Sequence, residues 1–358
     1  MKKLKNLKKT TKVDFATYIG VIIAFVIVSA LQSGGMLSRS ISGMLVPICC
    51  YIVMAVSLNL VVGISGELSL GHAGFMSVGA FSGVIAAMSL QNVIPSAPFR
   101  LAVAMVVGAA FAAVAGFIVG IPVLRLRGDY LAIVTLAFGE IIKDIMNCLV
   151  VGADKNGLHM ALNVSGQVTI NDLDLDPATG IAIIKGAQGA TGTTKIATFT
   201  AGFILVMVAL IVVLNLVRSR AGRAILAIRD NRIAAESVGI NVTTYKMMAF
   251  VTSAALAGAA GALYSMNYSN MAASKFDFNT SILVLVYVVL GGLGRIWGSV
   301  IAATVLYVLP EALREFADYR MLVYAVVLIL VMLLTNNKQI RNLLGKIIPK
   351  GKGADADV

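Results

Sequence analysis

The sequence predicts an all-α polytopic membrane protein with about 10 transmembrane helices, or 8 plus a re-entrant hairpin, and with cytoplasmic N and C termini. Three observations support this prediction. Hydrophobic residues make up 59% of the 358 residues and charged residues 13%, whereas soluble domains are about 45–50% apolar and about 25% charged. The apolar residues form runs near the ~20 residues that cross a bilayer. The basic residues gather at the ends of those runs.

The same composition excludes several classes of protein. A cytosolic enzyme is excluded because too little polar surface exists to cover a water-soluble globule of this size. The net charge of +12 would suggest nucleic-acid binding in a soluble protein, but here it reflects membrane orientation, so we expect no nucleic-acid partner. The three cysteines show no CxxC or disulfide pattern, and His72 and His159 lie far apart. We therefore expect no metal site and no cofactor.

One transmembrane domain is predicted over 15–335, between basic tails at 1–14 and 336–358. The lysine-rich start precedes an apolar run longer than that of a signal peptide, so the first helix is expected to be uncleaved. Glycines can break a helix after residue 290, so 281–310 forms either two short spans or a membrane-deep hairpin. The predicted spans in chain order are 15–31, 41–62, 67–90, 101–124, 130–151, 198–217, 247–268, 281–293, 296–310 and 321–335.

The distribution of basic residues predicts which loops face the cytoplasm. With the N-terminus inside, cytoplasmic segments hold 20 of the 29 basic residues and the opposite loops hold eight, as the positive-inside rule requires. The long loop 152–197 is then extracytoplasmic. Its acidic run at Asp172, Asp174 and Asp176 is expected to form a solvated turn, because the glycine and distal glutamate of a calcium-binding EF-hand are absent. The basic loop 218–246 is then cytoplasmic.

Three ionisable residues lie within the predicted span 130–151, namely Glu140, Lys143 and Asp144. Each such group costs about 2.5–3.5 kcal/mol at the bilayer centre, and Glu140 lies roughly 15 Å along the span. Helical spacing places Lys143 and Asp144 one turn from Glu140. The cluster is either neutralised internally and buried against other helices, or a polar element beside a translocation path or its gate.

A second polar stretch contains Asn59, Glu67 and His72 among five glycines. Glu67 and His72 could form a proton relay, as in secondary transporters. A Gly-Ile-Ser-Gly break at 63–66 instead puts Glu67 at a helix start, where the helix dipole stabilises a carboxylate, and this interpretation is favoured. Irregular backbone at membrane depth either lines a cavity or is buried in protein. These three residues therefore join the ionisable residues of span 130–151 as candidates for the translocation path or gate.

Small residues recur at one-face spacing in three predicted spans. In lipid, such residues let helix backbones approach closely, so the pattern predicts a compact bundle rather than a substrate site. The residues concerned are Gly79, Gly83, Gly116, Gly120, Ala254, Gly258, Gly261 and Ala262.

Four stretches of the chain resemble the permeases of branched-chain amino acid ABC importers. They are SLNLVVGISGELSLGHAGF at 57–75, RLRGDYLAIVTLAFGEIIKD at 125–144, GRAILAIRDNRIAAESVGINVTTYKMMAFVTSAALAGAAGALY at 222–264 and VVLGGLGRIWGSVIAA at 288–303. The Ser-Leu-Gly-His and Gly-Asp-Tyr-Leu-Ala-Ile runs are similar to the LivM type rather than to its LivH partner. The combination and order of the four stretches make the resemblance specific.

The resemblance implies a multi-pass permease subunit in the plasma membrane that imports leucine, isoleucine or valine. It also implies the partners: a second, LivH-like permease, two ATP-binding cassette ATPase subunits, an extracytoplasmic substrate-binding protein and the lipid bilayer. The chain contains no GxxxxGK(S/T) phosphate-binding loop, the backbone cradle that P-loop ATPases require. We therefore expect a transport subunit and not an enzyme, with energy from partner ATPases or from an ion gradient.

The basic loop 218–246 is where such a permease would contact its ATPase. Its run Ile-Ala-Ala-Glu-Ser-Val-Gly resembles the importer pattern Glu-Ala-Ala-x-x-x-Gly. Ala234, Ala235 and Gly239 match this pattern, whereas Ile233 replaces the usual glutamate.

A short helix ended by Gly239 and flanked by arginines can act as a rigid peg in a groove of a partner. This hypothesis assigns ATPase coupling to Arg223, Ala234, Ala235 and Gly239. The alternative is a loop that is basic only because it faces the cytoplasm.

Two alternative functions stay open from the sequence. The chain could be a permease for another small solute, such as urea, an amide or a sugar, because a few path residues decide the substrate and fold similarity does not. It could also be a self-sufficient ion-coupled transporter that uses Glu67, Glu140 and His72.

Overall fold

The structure is a computed structural model, and it describes residues 9–36, 38–91, 93–126, 128–154, 157–163 and 180–313, with 325, 326 and 329. The chain divides into two compact units, Met1–Ala303 and Thr304–Val358. The described residues of the second unit are 304–313, most of them helical, and the three separate positions. The features discussed below belong to the first unit.

Eleven α-helices contain most of the described residues. Polar side chains fix several of their starts, because Ser38, Thr198, Asn241 and Asp277 each accept a hydrogen bond from a backbone N–H of the first turn. The helices are α1 Lys9–Ser33, α2 Arg39–Asn59, α3 His72–Ser89, α4 Ala97–Val123, α5 Asp129–Cys148, α6 Phe199–Arg218, α7 Arg220–Asp230, α8 Arg232–Ser237, α9 Val242–Ser265, α10 Phe278–Gly291 and α11 Ile296–Ala312.

The first nine predicted spans each coincide with a helix. Five described helices are long and apolar enough to cross a membrane, namely α2 with its extension to Ile64, α3, α4, α6 and α9, and the shorter apolar helices are Thr17–Ser33, α10 and α11. The predicted span 321–335 lies outside the described residues except at three positions, and so does the tail 336–358. The number of ten crossings and the cytoplasmic termini stay predictions.

A small antiparallel sheet shows that the all-α prediction is wrong in one region. Its strands are β1 Leu149–Asp154, β2 Gly157–Leu162, β3 Ile181–Lys185, β4 Ala190–Thr191 and β5 Asn270–Met271, in the order β2-β1-β3-β4-β5. β-Branched residues at the centre of β1 and β3 are fully buried, among them Val151 and Ile183, which favours strands over helix. For the same reason α5 ends at Cys148, short of the predicted 151. The acidic run 172–176 lies outside the described residues.

The core of the first unit is the contact of α3, α4 and α9, where glycines replace larger side chains. A Cβ added at Gly79 would overlap the carbonyl oxygen of Gly258, and one added at Gly258 would lie 2.5 Å from the carbonyl oxygen of Gly108. The backbones of the three helices are therefore in direct contact, as small-residue patterns produce in membrane bundles. This confirms the compact packing predicted from the same glycines.

Successive long helices of the first unit run in alternating directions, so the unit has two distinct ends. At one end, which we call the sheet end, lie the five strands and the start of α4, where Arg100 Nη2 donates to Thr194 Oγ1 at 3.4 Å. At the other end, which we call the break end, α2 is interrupted, α7 and α8 follow α6, and a glycine-rich turn joins α10 to α11. Most candidate residues lie at or near the break end.

Candidate translocation and coupling sites

The continuation of α2 is irregular over residues 60–71, which we call the helix break. A π-turn, Leu60–Ile64, follows Asn59, and its wide geometry is closed by hydrogen bonds from Ser65 N to Leu60 O and from Glu67 N to Val61 O, at 3.0 and 3.1 Å. Regular helix resumes only at His72. The sequence predicted this interruption from its glycines, and π-turns occur frequently at functional sites.

Asn59 joins the helix break to the glycine-rich turn after α10. Its side chain is completely buried. The Nδ2 atom donates to Ser299 Oγ at 2.9 Å, and Oδ1 accepts the N–H of Gly294 at 2.8 Å. The two interruptions of the helical backbone therefore meet at one amide, a partnership that the sequence did not indicate.

Glu67 forms an ion pair with Lys246 of α9, and their side chains are only 12% and 10% exposed. The prediction that Glu67 caps a helix start is wrong, because α3 begins five residues later, at His72, after an N-cap at Gly71. The start of α3 is satisfied instead by Ser281, whose Oγ accepts the N–H of Ala73 at 3.1 Å.

His72 is buried, and its Nε2 atom lies 2.8 Å from Ser57 Oγ. Glu67 and His72 thus have separate partners, and no hydrogen bond or ion pair joins these two side chains. The proton relay that the ion-coupled alternative invokes has no direct contact to support it.

Glu140 connects α5 to the start of α10. One carboxylate oxygen forms an ion pair with Lys143, the partner that helical spacing predicted. The other, Oε1, accepts the N–H of Phe278 at 3.0 Å, beside Asp277, whose Oδ1 accepts the N–H of Thr280. Two carboxylates thus stabilise one helix N-terminus.

The surroundings of this cluster are tightly packed. The crevice lined by Leu136, Gly139, Glu140 and Phe276 is too narrow to contain a water molecule. Asp144 lies on the exposed side of α5.

The loop 218–246 contains two short helices, α7 and α8, where the sequence predicted one. Ser219 and Asn231 cap them by accepting N–H groups of Gly222 and Ala234 at 3.1 and 3.0 Å. Gly239, with φ +83°, ends α8 as predicted. The N–H of Gly239 and of Ile240 donate to the carbonyls of Glu236 and Ala235 at 3.0 and 3.1 Å, the pattern of a Schellman cap that needs a left-handed residue.

The two alanines of α8 differ in exposure. Ala235 is 4% exposed and packs in the chain's own core with Ile228 and Val242, so it is not part of an accessible docking surface. Ala234 is exposed, and so are Ile233 at 79% and Val238 at 74%. Sequence reasoning treated Ile233 only as a departure from a pattern, although an apolar residue opposite a buried alanine indicates a second contact face.

Two arginines of α7 differ in their surroundings. Arg223 is exposed, and its Nη1 atom donates to the carbonyl of Arg218 at 3.3 Å. Arg229, which sequence reasoning did not single out, reaches the helix break. Its Nη1 atom donates to the carbonyl oxygen of Gly63 at 3.2 Å.

Apolar helices of membrane-crossing length, packed backbone to backbone beside an interrupted helix with a buried ion pair, are the architecture of a multi-pass membrane protein. A family profile described as "Branched-chain amino acid transport system / permease component" matches residues 40–333. The chain belongs to this family, whose description is that of a permease component of a transport system.

Two groups of curated relatives are similar to the chain. The high-affinity branched-chain amino acid transport system permease proteins LivM of Salmonella typhimurium and Escherichia coli are 36% and 35% identical over 292 and 289 residues, which is 79% of this chain. The chain covers 66% of each of those proteins, just under two thirds of their length. The ribose import permease RbsC of Escherichia coli is 27% identical over 90% of this chain and 93% of that protein. No solved structure matches the chain.

Proposed function

We propose that the chain is a permease subunit of an ABC importer for the branched-chain amino acids leucine, isoleucine and valine. The observation that carries this proposal is the 36% identity to a LivM permease over 79% of the chain. The proposed assembly contains a second, LivH-like permease, two ATPase subunits and an extracytoplasmic substrate-binding protein, in the plasma membrane. The chain and the second permease together form the translocation path.

The break end is proposed to face the cytoplasm and the ATPases. The arginines at positions 218, 220, 223, 229 and 232 gather there, as the positive-inside rule requires of cytoplasmic segments. Ile233 of α8 and Val238, which follows α8, are both exposed apolar residues, and a short helix with such residues suits a groove on a partner. Burial of Ala235 keeps this helix fixed to its own subunit.

The helix break and the residues around it are proposed to border the translocation path or its gate. Asn59 and the pair of Glu67 with Lys246 hold irregular backbone in a buried position, which membrane proteins tolerate next to a path or inside protein. The cluster of Glu140 with Lys143 is proposed to act at the same path nearer the sheet end.

Import of a sugar is the second candidate, because RbsC is similar over a larger share of the chain, at lower identity. A few residues of the path decide between an amino acid and a sugar, and overall similarity does not. Competition in one assay separates the two candidates.

The decisive experiment measures import into proteoliposomes that contain the chain with its partner subunits and that enclose ATP. We expect ATP-dependent uptake of labelled leucine that unlabelled isoleucine and valine compete and ribose does not, and that survives collapse of the proton gradient by a protonophore. Uptake of labelled ribose without uptake of labelled leucine would support the sugar importer. Loss of uptake when the proton gradient is collapsed, with ATP still present, would support the ion-coupled alternative.

A further inference from the structure

We propose that Arg229 and Lys246 are the positioning residues through which movement of α8 is transmitted to the helix break. Arg229 holds the α2 side of the break, at Gly63, and Lys246 holds the α3 side, at Glu67. The role in transport rests on the proposed function, whereas the contacts that join α8 to the helix break lie within this chain alone.

The first step of the argument is that α8 is fixed to both of its neighbours in the chain. Ala235 of α8 packs against Ile228 of α7 and Val242 of α9 in one buried cluster. Ile240 also packs against this cluster and donates its N–H to the carbonyl of Ala235. Because such packed clusters are not compressible, displacement of α8 carries the end of α7 and the start of α9 with it.

The second step concerns Arg229, in the last turn of α7. Asp230 Oδ1 accepts hydrogen bonds from Nε and Nη2 of Arg229 at 3.2 and 3.0 Å, which orients the guanidinium group. Nη1 is then directed at the carbonyl of Gly63 in the π-turn, at 3.2 Å. The aliphatic stem of Arg229 covers Gly66, where an added Cβ would lie 2.7 Å from its Cγ. The side chain therefore holds the break by both its polar and its apolar parts.

The third step concerns Lys246, in the second turn of α9. Its ammonium group pairs with Glu67, and both side chains are about nine-tenths buried. Separation of the pair would leave a buried charge uncompensated, so Glu67 follows Lys246 when α9 moves. Since α7 precedes α8 and α9 follows it, a displacement of α8 is transmitted to both sides of the helix break.

The break in turn contacts the elements on which a gate would depend. Beyond Glu67 the chain enters α3 through Leu70, whose N–H donates to Thr135 Oγ1 of α5 at 3.0 Å. On the other side, Asn59 is bonded to Ser299 and Gly294 at the turn between α10 and α11. Movement of residues 63–67 therefore displaces α3, α5 and this turn.

The test compares variants in the importer reconstituted with its partner subunits. Glu67→Gln, Lys246→Met and Arg229→Gln should each lower leucine import about tenfold, the factor that 1.4 kcal/mol of coupling represents, while ATP hydrolysis changes less than about twofold. The charge swap Glu67→Lys with Lys246→Glu restores the pair in reverse and should recover most of the import. Lys275→Met, at the sheet end, is the control and should behave like the unmodified protein.

A second measurement uses the purified chain in detergent and does not depend on any partner. Hydrogen–deuterium exchange over residues 60–71 should be faster in the three single variants and normal in the charge swap. Unchanged exchange there, or equal losses of import and ATP hydrolysis that the swap does not repair, would overturn the link. Absence of ATP-driven leucine import by the unmodified importer would instead contradict the proposed function, and the exchange result would still decide the link.

Discussion

The amide of Asn59 donates from Nδ2 to the hydroxyl of Ser299 at 2.9 Å, although the two residues are 240 positions apart in the chain. The same amide accepts the N–H of Gly294 through Oδ1. One buried side chain thus joins the interruption after α2 to the turn between α10 and α11.

Replacement of Asn59 by alanine is expected to lower the free energy of unfolding by about 1–3 kcal/mol, because two hydrogen bonds of about 0.5–1.5 kcal/mol each are lost. Ser299→Ala should cost about half as much, since it removes one of the two. The midpoint of unfolding in detergent measures the destabilisation in each of the two variants. Ser299 Oγ also donates to the carbonyl of Arg295 at 3.4 Å, so in the double variant the effect of Ser299→Ala should become smaller. Full additivity of the two effects would contradict the assignment.

Substitution of Gly79 by alanine is expected to destabilise the chain by about 1–3 kcal/mol, because the methyl group would overlap the Gly258 carbonyl and force the helices apart. Gly43→Ala is the matched control. It lies in α2 with no atom within 4 Å of an added Cβ, and it should be neutral or stabilising by up to about 1 kcal/mol. Equal shifts of the melting temperature in the two variants would argue against tight packing at Gly79.

Glu140→Gln is expected to reduce leucine uptake about tenfold with normal expression, because it removes the charge that pairs with Lys143 in α5. The glutamine can still accept the N–H of Phe278, so the start of α10 should stay intact. Glu140→Ala removes this acceptor as well and should also lower stability. Normal uptake in a well-expressed Glu140→Gln variant would limit the cluster to a role in packing.

Ile233→Glu is expected to leave a folded, membrane-inserted chain that no longer co-purifies with ATPase subunits, since its side chain is exposed on α8. Ala235→Glu should instead destabilise the chain itself by about 3–5 kcal/mol, because it buries an unpaired charge. The two variants separate the docking face from the core of the same helix. Retention of the ATPase by Ile233→Glu at its normal level would show that docking occurs elsewhere.

The orientation of the chain can be measured by single-cysteine labelling in a background without Cys49, Cys50 and Cys148. A membrane-impermeant maleimide added from outside should modify Leu158→Cys in β2 and not Asp230→Cys in α7, because basic segments are retained in the cytoplasm. Both positions are exposed. Labelling of Asp230→Cys in intact cells, alone or together with Leu158→Cys, would contradict the proposed topology.

Sequence reasoning located the helices well because the signals are local. Apolar runs and a glycine such as Gly239 act within one or two turns. The sheet was missed because Leu149, Val150 and Val151 continue the apolar run of α5, and short apolar runs do not distinguish strand from helix. β1 pairs with β2, which follows after two residues, and also with β3, Ile181–Lys185, which lies about thirty residues further along the chain.

The candidate residues were recognisable by type, and their partners were not. A carboxylate among glycines singled out Glu67, but Lys246, 179 residues away, had no distinguishing feature in a basic loop. Arg229 was one of several arginines until its contact with Gly63, 166 residues away, was visible. Only Glu140 and Lys143, one helical turn apart, could be paired from spacing alone.

The sheet has a consequence for how the helices can rotate. Main-chain hydrogen bonds connect β1, which follows α5, to β3, while β4, which precedes α6, is paired with β5 after α9. Separation of these helices at that end would break main-chain hydrogen bonds between the strands. We therefore expect the sheet to limit movement at that end, so that any rocking of the helices is larger at the helix ends next to α7 and α8.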